Sequence, residues 1–249
     1  MNAGTGVIAV KKETQFGLDE ALKQIAAYKY GQSRKSLIAL ADYVRDSYKN
    51  PARRKELRNR LTALLSSGAT TDGKRFICKQ LSIIGTAQEA PALAELLTDE
   101  KLSHMARFAL ERIPGPAADV GLRDALGKAK GKILIGVINS LGERRSRRAV
   151  GALTKLVTDR DESVAGVAVA ALGKIGGRRA ARALAKAKAE ASAKLRPIVV
   201  DACLQCAERL MARGENEEAA GIYQELCASS EAEHVRGAAK RGLEAARRK

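Results

Sequence analysis

Two runs of arginine in this sequence are built alike and have the chemistry to bind anions. Residues 142–150 read GERRSRRAV and residues 176–184 read GGRRAARAL, and an offset of 34 residues superimposes three arginines of each run. Guanidinium groups donate pairs of parallel hydrogen bonds that suit phosphate and carboxylate. The six arginines that we predict to form an anion-binding or partner-binding edge are Arg144, Arg145, Arg148, Arg178, Arg179 and Arg182.

The expected position of these arginines supports the prediction. Each run begins with Gly, a residue that ends helices well, and leads into an Ala-rich and Leu-rich stretch typical of the next helix. Free N–H groups at a helix start already carry partial positive charge, so each cation there costs about 0.3–1 kcal/mol. A bound anion would relieve this repulsion. The alternative is that the arginines are exposed residues that only keep the protein in solution.

The whole chain is strongly basic. Its 249 residues include 45 Lys and Arg against 28 Asp and Glu, which gives a formal net charge of +17. Such a balance favours polyanionic partners, namely nucleic acid, acidic protein surfaces or anionic membranes. Further basic runs occupy residues 51–60 and 186–196. The sequence leaves open whether the runs form one continuous stripe, which favours nucleic acid, or several separate patches.

Patterns typical of catalytic or metal sites are absent from the sequence. It contains no HExxH, no P-loop, no GxGxxG in a strand context and no Ser/His/Asp order. We therefore predict no catalytic residues, no metal and no cofactor. Cys203 and Cys206 form a C-x2-C pair, but the spacing to Cys227 and His234 fits no standard zinc finger. We predict that this pair lies in mid-helix as small buried residues.

Four tyrosines near the start of the chain are interleaved with Lys and Arg, namely Tyr28, Tyr30, Tyr43 and Tyr48. Aromatic rings beside cations hold single-stranded nucleic acid by stacking on its bases. Rings with hydrated hydroxyls also cover the end of a helical array, where the last layer has no neighbour. We favour the second interpretation.

A repeat of about 30 residues positions most of these side chains. Residues 85–113 align with residues 142–175, and apolar residues occupy equivalent positions in both segments. Both segments also contain a Thr-Asp pair at the equivalent place, in which the Asp is Asp99 in the first and Asp159 in the second. A degenerate copy lies between the two. The first part of each unit has apolar residues at helical spacing, and the second part is apolar on most faces. Each unit is therefore predicted to contain an outer helix and a more buried inner helix.

Units of two helices that stack side by side form an α-solenoid. We predict an all-α fold, a right-handed α-solenoid of about seven stacked antiparallel helix pairs. Residues 16–249 are predicted to form a single domain, and residues 1–15 a flexible lead-in. The absence of Trp and an aromatic content of only 3% fit thin layers of closely packed helices.

The repeated unit resembles HEAT repeats of the short bacterial kind. The resemblance is carried by PALAELLTDE followed by ARFALERI, and by ALTKLVTDRD followed by ESVAGVAVAALGKIGG, within residues 85–177. It implies a curved scaffold that binds other macromolecules through its inner helices, and some relatives bind DNA or act on bilins. On the predicted inner helices, the candidate contacts are His104, Arg107 and Asn139.

Together these features predict a non-enzymatic scaffold whose basic surface holds an acidic macromolecular partner, with protein favoured. A sequence-nonspecific nucleic-acid-binding HEAT protein is the alternative. A HEAT-class enzyme, either a DNA glycosylase or a bilin lyase, is disfavoured because the chain lacks Trp and an obvious catalytic cluster. No signal peptide and no run of 18 apolar residues is present, so we expect a cytoplasmic protein without a membrane span. The oligomeric state stays open.

Overall fold

The structure of the protein is a computed structural model that describes residues 17–248, so the predicted lead-in over residues 1–15 lies outside the described residues. Every regular element within them is helical, which confirms the all-α fold class and the solenoid of paired helices. The α-helices are α1 (Leu18–Ala26), α2 (Lys35–Asp46), α3 (Pro51–Leu65), α4 (Thr71–Ile84), α5 (Ala90–Ala94), α6 (Ser103–Arg112), α7 (Pro116–Leu126), α8 (Gly131–Glu143), α9 (Val150–Leu156), α10 (Glu162–Ile175), α11 (Arg178–Glu190), α12 (Arg196–Met211), α13 (Asn216–Ala228) and α14 (Glu233–Arg247).

The chain divides into two compact units, unit 1 ending at Ile84 and unit 2 beginning at Gly85. The prediction of one continuous domain stays a prediction. No helix among the described residues is both long enough and apolar enough to span a membrane.

Unit 1 contains two helix pairs, α1 with α2 and α3 with α4, and α4 also packs on α1 and α2. Helix α3 begins at Pro51. The reason is local, because the side chain of Asn50 accepts a hydrogen bond of 3.1 Å from the backbone N–H of Arg53. Proline at the first helical position needs no N–H partner, so Asn50 and Pro51 together form a strong helix start.

Unit 2 contains the repeats that the sequence predicts. Its pairs are α5 with α6, α7 with α8, α9 with α10, α11 with α12, and α13 with α14. We call the second member of each pair the inner helix, and α8 packs on α6, α10 on α8 and α12 on α10. The repeated Asp of each turn has a structural task, since Asp99 accepts the backbone N–H groups of Lys101 and Leu102, and Asp159 accepts the N–H of Asp161, which in turn caps α10.

Close contacts at glycine bring the inner helices together. A Cβ atom on Gly142 of α8 would lie 3.1 Å from the Cα of Ala171 in α10, and a Cβ on Gly173 of α10 would lie 2.7 Å from the Cα of Ala202 in α12. The sequence suggested that Gly142 ends a helix. The structure corrects this, because Gly142 lies in the last turn of α8, where its missing side chain allows α10 to approach.

The substitution Gly173→Ala is expected to lower the free energy of unfolding by about 1–3 kcal/mol, because the new methyl group overlaps the backbone of α12. Gly221→Ala is the matched control, since Gly221 lies in mid-helix in α13 with nothing within 4 Å of the added Cβ. That control should raise stability by about 0.5–1 kcal/mol through the helix propensity of Ala. Urea unfolding followed by circular dichroism measures both, and equal effects would contradict the packing argument.

Candidate anion-binding edge

Arg144 does not belong to an exposed anion-binding surface, contrary to the sequence prediction. It directly follows α8, and only 9% of its side chain is exposed. Its Nη1 donates to the carbonyl oxygens of Leu110 at 2.6 Å and Ile113 at 2.7 Å, and its Nη2 donates to the carbonyl of Gly115 at 2.8 Å. Its Nε donates to a carboxylate oxygen of Asp119 at 2.6 Å. The guanidinium is thus fully engaged within the protein.

The position of Arg144 has an electrostatic reason. The carbonyl groups that it binds lie at the C-terminal end of α6, where the last carbonyls of a helix lack partners and carry partial negative charge. The expected cost of a cation at a helix start therefore does not apply. Arg144 instead stabilises the negative end of the preceding inner helix.

Arg213 performs the same task two repeats later. It follows α12, and its Nη2 donates to the carbonyl of Ile175, the last residue of α10, at 2.8 Å. A Cβ atom on Gly177, whose φ is +90°, would lie 2.9 Å from Nη1 of Arg213. The glycine pair at the start of the second arginine run therefore leaves room for this guanidinium.

The two arginine runs are consequently not equivalent in the way that the offset of 34 residues suggests. Arg144 follows the end of an inner helix, whereas Arg178 is the first residue of the outer helix α11. Structurally, the counterpart of Arg144 is Arg213. Arg144 and Arg178 therefore occupy different positions of the repeat, and the binding of an anion by both runs together stays a prediction.

Arg145 has an unusual backbone conformation. Its φ of 52° makes it the one residue other than glycine with positive φ among the described residues. The N–H of Arg145 bonds to the carbonyl of Gly142 and the N–H of Ser146 bonds to the carbonyl of Leu141, which is the Schellman pattern that ends helices. At the end of α12 the same pattern has Gly214 in this position, with φ of 76°.

Positive charge gathers around the ends of α8, α10 and α12. The pKa of Arg213 is lowered first by burial and then by the nearby charges of Arg147 and Arg145, although Glu215 acts in the opposite direction. These arginines come from two loops that are far apart in sequence. Neither Arg145 nor Arg147 forms an ion pair with a carboxylate of the described chain.

A polar cleft of about 250 Å³ adjoins Arg145. Arg145, Lys174 and Arg209 line it, together with Glu143 and Glu208. Lys174 pairs with Glu143 at 2.6 Å, which neutralises part of the charge. We call the surface formed by Arg145, Arg147, Lys174, Arg209 and Arg213 the basic edge.

The remaining arginines of the prediction have different surroundings. Arg178 is 63% exposed, but it pairs with Glu215 and Glu218 at the start of α13 and the turn before it. The other three, Arg148, Arg179 and Arg182, are exposed, and none forms an ion pair within residues 17–248. Their role in binding stays a prediction.

The three inner-helix candidates also differ. The guanidinium of Arg107 packs against α8, and its Nη1 donates to the carbonyl of Gly136 at 3.2 Å. A Cβ atom on Gly136 would lie 2.5 Å from the Cζ of Arg107. Burial lowers the pKa of Arg107, and Glu111 partly offsets the shift. Arg107 is therefore a helix-packing residue. His104 on α6 is exposed and Asn139 on α8 is half-buried, so both stay candidate contacts.

Three of the four cysteines are buried thiols, and Cys227 is half-buried. Cys203 and Cys206 lie on α12 between helices, and burial raises the pKa of Cys203 to about 12 and that of Cys206 to about 11. Cys78 in α4 is buried in the same way. Within the described part of the chain, no group of His, Cys, Asp and Glu side chains is arranged to hold a metal ion.

Sequence reasoning found Arg145 but missed Arg147, Lys174, Arg209 and Arg213 as members of the basic edge. The last three lie within or directly after the inner helices α10 and α12. A usable signal was present, because a basic residue near the end of each inner helix recurs with the repeat. The grouping itself depends on how the helix ends meet in space.

Comparison with known proteins agrees with the repeat architecture. Residues 120–202 match the family described as HEAT repeats, which confirms the predicted resemblance over that stretch. A HEAT-like repeats protein from the archaeon Thermococcus onnurineus NA1 is similar in structure, with a TM-score of 0.53 and 12% identity, covering 95% of this chain and 99% of that chain. The structure of the CpcE and CpcF complex of phycocyanin lyase from Nostoc sp. PCC7120 is similar with a TM-score of 0.45 and 14% identity. The match covers 98% of this chain and 100% of that chain. At such identities the archaeal likeness shows the fold alone. No curated protein matches the chain significantly.

The substitution Arg144→Gln is expected to lower the free energy of unfolding by about 2–4 kcal/mol, because it leaves buried carbonyls and Asp119 without their cation. Arg148→Gln removes the same charge nearby from an exposed side chain, and it should change stability by less than about 0.5 kcal/mol. Thermal and urea unfolding compare the two variants. Equal stabilities would show that Arg144 is not a structural residue.

The substitution Arg145→Gly is expected to raise the free energy of unfolding by about 1 kcal/mol, because glycine adopts the left-handed conformation without strain. Arg145→Ala removes the same guanidinium but keeps a Cβ in that conformation, so it should leave stability nearly unchanged. If both variants were equally stable by urea unfolding, the strain at this position would be excluded.

Proposed function

Because the protein contains HEAT repeats, we propose that it is a non-enzymatic binding scaffold whose basic edge holds an acidic partner protein. The observation that carries the proposal is the convergence of Arg145, Arg147 and Arg213 from two separate loops, close enough for their charges to lower the pKa of Arg213. Arg145 and Arg147 form no ion pair within the described residues, and like charges brought together in this way raise the free energy of the unbound protein. An acidic partner relieves this repulsion on binding.

The strained conformation of Arg145 supports the same proposal. A residue other than glycine in the left-handed region costs about 1–2 kcal/mol. The related helix end at Gly214 shows that this fold accepts glycine at that place. Arginine at this position lowers the free energy of unfolding but places a cation in the basic edge. Backbone strain of this kind is typical of a functional site.

The charge pattern favours protein over nucleic acid. Glu143 and Glu208 line the cleft among the cations, and Glu215 lies near Arg213. A phosphate backbone would be repelled by carboxylates placed along its path, whereas a protein surface offers cations that pair with them. Nucleic acid is the second candidate, and the net charge of +17 together with exposed Arg148 and Arg179 favours it.

A non-catalytic role fits the chemistry of the buried thiols. Burial raises the pKa of Cys78 and of Cys203 to about 12, so at neutral pH both stay protonated and are weak nucleophiles. These residues serve packing between helices. The proposal therefore assigns the function to surface recognition rather than to a reaction.

The double variant Arg145→Ala/Arg147→Gln is expected to bind a fluorescent polyglutamate peptide about fivefold more weakly than the parent protein, because two unpaired cations are lost. The matched control, Lys132→Gln/Lys155→Gln, removes the same charge from exposed positions outside the basic edge. It should change the affinity by less than about twofold. Fluorescence anisotropy at constant ionic strength measures both variants.

The same proteins are titrated with a random DNA duplex between about 50 and 200 mM salt. If the proposal is correct, the protein binds DNA more weakly than it binds the acidic peptide, and the two double variants change the affinity for DNA equally. Tighter DNA binding that falls steeply with salt and requires Arg145 and Arg147 would favour the nucleic-acid function. Equal peptide binding by parent and edge variant would refute the basic edge as a binding site.

A further inference from the structure

An open apolar groove runs between α2 and α4 in unit 1. Three large apolar side chains on its surface are about half exposed, with Ile38 at 58%, Tyr48 at 54% and Ile83 at 51%. The groove has a volume of about 370 Å³, and Leu37, Val44 and Phe76 form part of its floor and walls. Exposed apolar surface gathered in one groove marks an interaction site.

The spacing of the groove residues fits a helical occupant. On the α2 side they are Arg34, Ile38, Ala41, Arg45 and Tyr48, three or four residues apart throughout, so they form one straight stripe. This stripe is about 20 Å long at 1.5 Å per residue. Such a length accommodates three to four turns of a second helix lying in the groove, as in recognition of amphipathic helices.

Two contacts hold one end of the groove in place. The hydroxyl of Tyr48 donates to the carbonyl of Ile83 at 3.1 Å, which ties the segment after α2 to α4. The guanidinium of Arg54 lies over the ring of Tyr48, 5.1 Å from its centroid. The apolar walls are therefore largely preformed, which lowers the entropic cost of binding.

The rim of the groove is basic. Arg34 and Lys79 are exposed and form no ion pair within residues 17–248, while Arg45 pairs with Asp42 of its own helix at 2.8 Å. A second copy of this chain carries the same net charge of +17 and the same basic rim, so its approach to this groove is unfavourable. A helix with acidic residues beside its apolar face matches both the walls and the rim.

We propose that the groove between α2 and α4 is a docking site for an acidic amphipathic helix of a partner protein. Apolar side chains of that helix, spaced three or four residues apart, fill the groove around Ile38, Tyr48 and Ile83. Its flanking carboxylates pair with Arg34 and Lys79. The site lies wholly within unit 1 and does not depend on the function proposed for the basic edge.

The test uses the full chain and a fluorescein-labelled helical peptide with Leu on one face and Glu beside it. A second peptide has Lys in place of every Glu. In fluorescence anisotropy at moderate salt, the acidic peptide should bind at least about tenfold more tightly than the basic one. Ile38→Asn and Ile83→Asn should each weaken binding of the acidic peptide about tenfold, because the peptide loses apolar contacts.

Matched controls separate the groove from general charge and from folding. Val120→Asn changes an apolar side chain that is 42% exposed in unit 2, and it should leave peptide affinity unchanged. Lys79→Glu should weaken binding, whereas Lys155→Glu, an equal change of charge in unit 2, should have a much smaller effect. Circular dichroism verifies that each variant keeps its helical content.

Three outcomes would overturn the proposal. One is equal binding of the acidic and basic peptides, and another is an equal effect of Ile38→Asn and Val120→Asn. The third is a dimer in analytical ultracentrifugation that Ile38→Asn dissociates, which would make a second copy the occupant. The variant Arg145→Ala/Arg147→Gln should bind the peptide within about twofold of the parent, so a failure of the basic edge is distinguished from a failure of the groove.

Discussion

The close packing of α8, α10 and α12 is the constraint on which unit 2 depends. Gly142 and Gly173 each present bare backbone to an alanine of the next inner helix, so the helices approach until the Cα atoms of Ala171 and Ala202 touch them. Side chains of ordinary size would force the helices apart. Because the contacts repeat from helix to helix, the ends of the inner helices are brought beside one another, and the loops that follow them meet.

This meeting of helix ends explains where the arginines lie. The last carbonyls of a helix lack intrahelical partners and attract cations. Arg144 reaches the end of α6, and Arg213 reaches the end of α10. At these two places a repeat stabilises the one before it by electrostatics as well as by apolar packing. The same arrangement concentrates further cations, such as Arg145 and Arg147, near the positions that these structural arginines occupy.

The two proposed binding surfaces use different chemistry. At the basic edge, charge and a strained backbone at Arg145 are maintained at the expense of stability, and recognition there is electrostatic and sensitive to salt. In the groove of unit 1, apolar area around Ile38 and Ile83 supplies most of the interaction, and the basic rim selects the charge of the partner.

Local periodicity in the sequence determined the helices of this protein, and helix α10 ends at Ile175, where the repeated unit over residues 142–175 ends. The same periodicity predicted that α12 would contain the cysteine pair. The amino-acid types determined the basic character. The tertiary structure alone decided what each arginine does, because a guanidinium bonds to the carbonyls that lie beside it in space. For Arg144 these belong to Leu110 and Ile113, on a helix two elements earlier in the chain, and no comparison of neighbouring residues reveals them.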